Sequence, residues 1–162
     1  MAGRLRGLAG LPMLALAACG IHAEREDPDL FRRKMGEYRG VSSAVHINDF
    51  SVPRPFPAVI ADVKPIAEGC LNQQHPGNYL AKISATSETG VVTVKSPGVA
   101  VLEYRYEGLI FLLADFKAEG GSTKVTVTRS HGYSDIESDI RLWAAGQSRE
   151  CSQYHMKLPF QD

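Results

Sequence analysis

Apolar and polar positions change their period several times along the chain. Between residues 45 and 52 apolar side chains alternate with polar ones, which predicts a β-strand that two prolines bring to an end. From Phe56 to Leu71 the apolar positions recur every three or four residues, which predicts a helix with one apolar face. Pro65 lies inside this stretch and predicts a kink or an early end, because proline has no N–H to donate. Gly69 suits the end of such a helix.

A series of short apolar segments separated by turn signals follows this helix. The segments are rich in β-branched and aromatic residues, which is typical of strands, and tight turns between them predict an antiparallel meander. The turn signals lie at Ser87–Gly90, Ser96–Gly98, Glu107–Gly108 and Glu119–Gly121. The predicted strands are Tyr79–Thr86, Val91–Lys95, Val99–Tyr106, Leu109–Lys117 and Ser122–Arg129.

The last predicted element is a helix. It opens with Ser134-Asp135-Ile136-Glu137, a capping-box pattern, and its apolar positions continue to Gly146, which suits a helix end. The order strand, helix, meander, helix predicts an α+β fold, with an antiparallel sheet of five to six strands and two helices packed on one face. A chain of 162 residues suits about one such domain, which we place at residues 41–162.

The predicted strand around Leu112 is apolar on both of its faces. A strand with one solvent-exposed face alternates apolar and polar positions. The second apolar face of this strand must therefore be covered by something other than the two helices. Its source is the N-terminal part of the same chain, a protein partner or second copy, or a hydrophobic ligand; we favour the chain itself. Strict alternation predicts that Leu109, Phe111 and Leu113 share one face and that Ile110, Leu112, Ala114 and Phe116 share the other. The candidate interaction residues are Phe111, Leu112, Ala114 and Phe116.

The N-terminus has the layout of a secretory signal. Arg4 and Arg6 precede an uncharged apolar run of 11 residues, from Leu8 to Ala18. A membrane-spanning helix needs roughly 20 apolar residues, so this run is too short to be one. We therefore expect residues 1–18 to be a cleaved signal peptide.

The end of this run, Leu16-Ala17-Ala18-Cys19, resembles the lipobox of bacterial lipoproteins. The resemblance implies cleavage before Cys19, a diacylglycerol thioether on its sulfur and an acyl chain such as palmitate on the new N-terminus. Gly20 stands where an aspartate would imply retention at the inner membrane, so the resemblance implies an outer-membrane anchor and a periplasmic body. The alternative is an ordinary secretory cleavage site with an incidental cysteine.

Lipidation of Cys19 would leave Cys70 and Cys151 as an even pair. In an oxidising compartment such a pair is expected to form a disulfide. Neither cysteine has the short Cys-x₂₋₄-Cys spacing of zinc sites, so we expect no metal there. Two buried free thiols are the alternative.

Residues 19–40 are predicted to be a charged tether, since 10 of the 22 positions carry a charge. Asp27 before Pro28 has the pattern of a helix N-cap, and apolar residues follow at helical spacing, so a short helix is predicted within the tether. The basic cluster Arg32–Lys34 either rests on anionic lipid headgroups or forms a solvated face.

We find little catalytic chemistry in the sequence. The five histidines have no partner at the spacing of a helical metal site. Ser130, His131 and Asp135 are the residue types of a nucleophilic triad, but they also suit a loop that leads into a helix. We therefore predict no catalytic residue, no metal, no cofactor and no enzymatic activity. The 18 basic and 18 acidic side chains balance, so we also expect no nucleic-acid partner.

The cysteine pair and the helix end Trp143–Gly146 give residues 41–152 a resemblance to small proteobacterial lipoproteins and, more loosely, to helix-grip domains. Helix-grip domains include ligand carriers and structural modules of envelope assemblies. The functional hypothesis is a non-enzymatic, lipid-anchored envelope protein that acts in structure or assembly, bound to the membrane by its anchor and to an envelope protein or a second copy. The alternative is a periplasmic carrier or chaperone for a hydrophobic ligand.

Overall fold

The computed structural model describes residues 24–40, 43–75 and 86–152. The helices are α1 (Pro28–Glu37), α2 (Phe56–Leu71) and α3 (Ser134–Ala145). The strands are β1 (Val45–Val52), β2 (Gln73–His75), β3 (Thr86–Ser96), β4 (Val99–Tyr106), β5 (Leu109–Glu119) and β6 (Ser122–Ser130). These elements form an α+β fold, as the sequence predicts.

All six strands belong to one antiparallel sheet with the order β1-β6-β5-β4-β3-β2. Helices α2 and α3 pack together on one face, where the fully buried Trp143 and Ile140 of α3 meet the large side chains of the sheet. Glycine at position 90 lets α2 approach β3, because a Cβ atom there would collide with the Leu71 side chain. The prediction of two helices on one face is confirmed.

Side chains of α2 and its C-cap bind the outer edge of β3 beyond the short strand β2. The Asn72 amide accepts from the Gly90 N–H at 2.9 Å, and the Glu68 carboxylate accepts from the Val92 N–H at 3.3 Å. Lys64 donates to the Val92 carbonyl at 2.9 Å. Unpaired strand edges invite pairing with other chains, so these bonds protect this edge.

Helix α1 covers the opposite face of the sheet. Asp27 caps it by accepting from the N–H groups of the next turn, and Phe31 and Met35 are buried against the sheet. Their partners are Val101, Ile110 and Leu113, with Val45 packed beside them. The expectation that the chain itself covers the second face is confirmed, as is the short helix. Helix α1 lies within the segment predicted to be a tether, and its Phe31 and Met35 pack on the sheet.

A β-bulge in β5 changes which side chains share a face. Tyr104 of β4 pairs with Leu112, whereas the next residue, Arg105, pairs with Ile110, so Phe111 is the extra residue. Ile110 therefore lies on the α1 face together with Leu113, while Phe111 packs against the core under α2 and α3. The strict alternation predicted for this strand is wrong at this point.

Several predicted boundaries also need correction. The turn predicted at Ser87–Gly90 lies inside β3, and most of the strand predicted at Tyr79–Thr86 lies outside the described residues. Helix α2 continues through Pro65 and Gly69 to Leu71. The N-cap of α3 is Tyr133, with no side-chain cap bond, so the predicted capping box does not form. Its glutamate has other partners, as described below.

Candidate functional site

A disulfide joins Cys70, near the C-terminal end of α2, to Cys151, six residues after α3 ends. Their Cα atoms lie 5.5 Å apart. Ser152 is held to α3 beside this bond, because its N–H and its hydroxyl both donate to the Asp139 carboxylate, at 2.9 and 2.7 Å. The predicted disulfide is confirmed, and the alternative of two free thiols is wrong.

The candidate triad residues do not form a hydrogen-bonded relay. The Ser130 hydroxyl donates to the Phe111 carbonyl at 3.2 Å, while the exposed His131 ring lies beside His46, with 6.1 Å between ring centroids. The histidine pair arises from the pairing of β1 with β6, which local spacing does not reveal. Within the three described stretches, no group of three or more histidine, cysteine, aspartate or glutamate side chains could hold a metal ion.

Three of the four candidate interaction residues are inaccessible. Leu112, Ala114 and Phe116 are 0% exposed beneath α2 and α3, so they contribute to the core rather than to a surface. The fourth, Phe111, is half-buried at the end of the sheet near the β4–β5 turn. Because it is the bulge residue, Phe111 is free of the strand's alternation and joins a group of aromatic side chains.

We call this group the aromatic end, which consists of Tyr104, Tyr106, Phe111 and Tyr133. Tyr133 connects its members, with its ring 5.2 Å from that of Phe111 and 5.5 Å from that of Tyr104, centroid to centroid. The Tyr106 ring meets Phe111 edge-on at 6.2 Å. The strands β4 and β5 and the N-cap of α3 thus place four aromatic rings at one end of the sheet.

Burial and a carboxylate control the charge state of these phenols. Burial raises the pKa of Tyr104 far above its ordinary value, and the nearby Glu88, only 4% exposed, raises it further. Burial also raises the pKa of Tyr133, an effect that Arg25 opposes and Glu88 reinforces. Both side chains therefore stay neutral phenols to a more alkaline pH than an exposed tyrosine, and a neutral phenol can donate a hydrogen bond.

The N-terminal segment lies against the aromatic end. The Arg25 guanidinium sits 4.5 Å from the centroid of the Phe111 ring, in cation–π geometry. The Arg105 guanidinium donates to the Glu26 carbonyl at 3.1 Å and to the carbonyl of Gly108, in the β4–β5 turn, at 2.8 Å. We call the segment Glu24–Glu26 and these contacts the N-terminal junction. Its contacts with Arg105 and Phe111 join residues 79 or more positions apart. No local sequence signal predicts such contacts, so the junction could not be found from the sequence pattern.

The basic cluster of α1 is mostly paired with acids. Arg32 donates two hydrogen bonds to the Asp115 carboxylate, at 2.8 and 2.6 Å, which together raise the pKa of the arginine. Lys34 pairs with Glu37 at 3.0 Å and approaches Glu24 at 3.8 Å. Two of the three bases thus have acidic partners, which weakens the hypothesis that the cluster binds anionic headgroups.

A buried ion-pair network fixes α3 to β6. Glu137 accepts from the buried Arg129 at 2.6 Å, from Arg141 at 3.2 Å and from the Asn48 amide at 2.9 Å. Burial by itself raises the pKa of Glu137, but the hydrogen bonds and charges of the two arginines outweigh it, so the net pKa lies below the ordinary value. These contacts explain why Glu137 is unavailable to cap α3.

The lowered pKa of Glu137 predicts a loss of stability in acid. A carboxyl group with a lower pKa in the folded than in the unfolded state stabilises the fold above the unfolded value of about 4.5 and loses this contribution as pH falls. We expect Glu137→Gln to reduce the free energy of unfolding at pH 7 and to flatten its dependence on pH between about 5 and 3. Urea titrations across this range measure both effects. Glu119→Gln, at an exposed position near the end of β5, serves as control and should change the slope less.

Two open grooves occur on the outer side of α2. The larger, of about 380 Å³, runs beside the disulfide and includes Asp62, Pro65 and Ile66, and the smaller lies between Asp62, Arg54 and Arg149. Arg54 donates to Asp62 at 2.6 Å, so the polar groups of this surface pair with each other. Neither groove is lined by Trp143 or by a residue of the sheet.

Comparisons with protein-family models, curated proteins and solved structures found no match to this chain. In the described part of the chain, no helix is long and apolar enough to cross a membrane.

Proposed function

We propose that this protein is a non-enzymatic, lipid-anchored component of the bacterial cell envelope, held to the outer membrane through Cys19 with its body in the periplasm. The observation that carries the proposal is the sequence Leu16-Ala17-Ala18-Cys19 at the end of an apolar run with a basic start. Cys19 and the signal segment lie outside the described residues, so the support is chemical: the cysteine thiol is the nucleophile that lipidation requires.

The disulfide supports an exported body. Disulfides persist in oxidising compartments such as the periplasm and are rare in the cytosol. The bond between Cys70 and Cys151 uses both other cysteines of the chain, which leaves Cys19 as the single thiol available for lipid. The cysteine chemistry is therefore consistent with one anchor and one structural cross-link.

A structural or assembly role agrees with the packing. Both faces of the central strand β5 are covered by helices of the same chain, and side chains fill the space between them. The two grooves are open and lie outside this core, so neither favours the carrier hypothesis over contacts with an envelope protein or a second copy.

The test of the anchor is Cys19→Ser. Serine cannot form the thioether, so we expect the variant to lose incorporation of labelled palmitate and to leave the membrane fraction. Cell fractionation with metabolic acyl labelling measures both properties. Gly20→Asp is the matched control: it should keep the acyl label but move the protein to the inner membrane. A Cys19→Ser protein that stays on the membrane, with an unlabelled parent, would refute the proposal.

A further inference from the structure

We infer that the aromatic end of the domain faces the lipid bilayer, so that the sheet stands with its β4–β5 turn towards the membrane and its β5–β6 turn away from it. This orientation rests on the proposed lipid anchor at Cys19 and extends it, because it names the surface of the domain that meets the lipid.

The length of chain before the domain limits how far this end can be from the membrane. Glu24, where the described chain begins, lies five positions after Cys19. A fully extended chain covers at most about 3.6 Å per residue, so Glu24 lies within roughly 18 Å of the anchored residue. Strand β5 has 11 residues and is thus about 35 Å long, at 3.3 to 3.4 Å per residue. The chain between Cys19 and Glu24 is therefore shorter than the sheet, so the anchored residue lies closer to one end of the sheet than to the other.

The contacts of the N-terminal junction show which end of the sheet lies closer to the anchored residue. Arg25 lies over Phe111, and Arg105 holds both the Glu26 carbonyl and the carbonyl of Gly108. These contacts place the point where the chain leaves the domain beside the β4–β5 turn. The C-terminal end of β5, where Glu119 pairs with Ser122, is at the opposite end of the sheet.

The chemistry of the aromatic end suits the interfacial region of a bilayer. Tyr106, Phe111 and Tyr133 are half-buried, so part of each ring is accessible. Tyrosine combines an apolar ring with a polar hydroxyl and is enriched where one side of a surface is apolar and the other is wet. The nearby charges are of both signs, with Arg25 and Arg105 beside Glu24 and Glu26, so we expect contact with the lipid interface rather than selection of anionic headgroups.

A pair of matched labels on one strand tests the orientation. Ser87 and Ser96 are both exposed and lie near opposite ends of β3; the Ser87 carbonyl accepts from the N–H of Glu107 in the β4–β5 turn. They lie nine positions apart, which corresponds to about 30 Å along a strand. In the acylated full-length protein, Ser87→Cys and Ser96→Cys each introduce one free thiol for a fluorescent donor.

The measurement is energy transfer to a headgroup-labelled phospholipid in vesicles of phosphatidylethanolamine and phosphatidylglycerol. We expect the label at residue 87 to lie nearer the bilayer, by up to about 30 Å, and to transfer more energy than the label at residue 96. Equal transfer, or more transfer from residue 96, overturns the orientation while flotation of the protein with the vesicles still supports the anchor. Protein that neither carries acyl chains nor floats refutes the proposed function, and the orientation with it.

Loosening the junction provides a second readout. Arg25→Ala combined with Arg105→Ala removes the contacts that fix the exit point, so the difference in transfer between the two labels should narrow. Arg149→Ala, an exposed arginine that pairs with Asp62 on the outer side of α2, is the control and should leave the difference unchanged. An undiminished difference in the double variant would overturn the role given to the junction.

Discussion

Replacing Cys70 or Cys151 with serine is expected to lower the free energy of unfolding by about 4.5 kcal/mol, because either change opens a long loop in the unfolded chain. The two cysteines are 81 positions apart, so the cross-link removes much of the conformational freedom of the unfolded state. In the folded state the same bond links α2 to the segment that follows α3, so its loss should also loosen the packing between them. Urea unfolding of each variant, compared with the parent, measures the loss.

The double variant distinguishes loss of the cross-link from loss of side-chain packing. Either single change breaks the same bond, so the double variant should be about as unstable as each single variant, and the losses should not add. Unreduced parent protein should also contain neither thiol in a form that reacts with an alkylating reagent after denaturation. Single variants as stable as the parent would contradict this account.

Elements whose signals are local were predictable from the sequence. The apolar period of α2 and the alternation in β6 arise from neighbours within a few residues, and both elements lie where the pattern puts them. The end of α3 is also local, because Gly146 adopts a left-handed conformation with φ of 71° and so stops the helix. The two-helix face follows from these elements together.

Gly90 shows where a local signal has two physical meanings. Glycine after Ser87-Glu88-Thr89 suits a turn, so the local pattern predicts one there. In the structure the same glycine is needed inside β3, because Leu71 of α2 packs where a Cβ atom would be. Turn and close approach both require the absence of a side chain, so only the position of α2 distinguishes them.

The N-terminal helix shows the limit of charge as a signal. Its many charged residues predict a solvated tether, yet Phe31 is fully buried and Arg32 pairs with Asp115 on the sheet. Charged side chains of this helix form ion pairs with residues of the sheet as well as facing water. Asp27 and the spacing of Phe31 and Met35 predict the helix itself, but the surface on which it packs depends on contacts distant in sequence.

Two adjacent residues of β5 should give opposite results when each is replaced with aspartate. Leu112 and Leu113 are both 0% exposed, but Leu112 lies in the core under α2 and α3, whereas Leu113 lies under α1. An unpaired charge in the larger core has no route to water, so Leu112→Asp should prevent stable folding. A charge at Leu113 can reach water if α1 leaves the sheet, so this variant should keep the sheet, α2 and α3 folded.

Hydrogen exchange distinguishes these outcomes because it reports each segment separately. In Leu113→Asp the amides of α1 that follow Pro28 should lose protection while those of β5 and α3 keep theirs, which corresponds to local rather than global opening. Phe31→Ala is the matched control from the helix side: it removes the main apolar contact of α1 and should expose the same amides. If Leu113→Asp unfolds the whole domain as Leu112→Asp does, α1 is part of one cooperative core. If α1 separates alone, the domain has a detachable N-terminal helix close to the anchor proposed at Cys19.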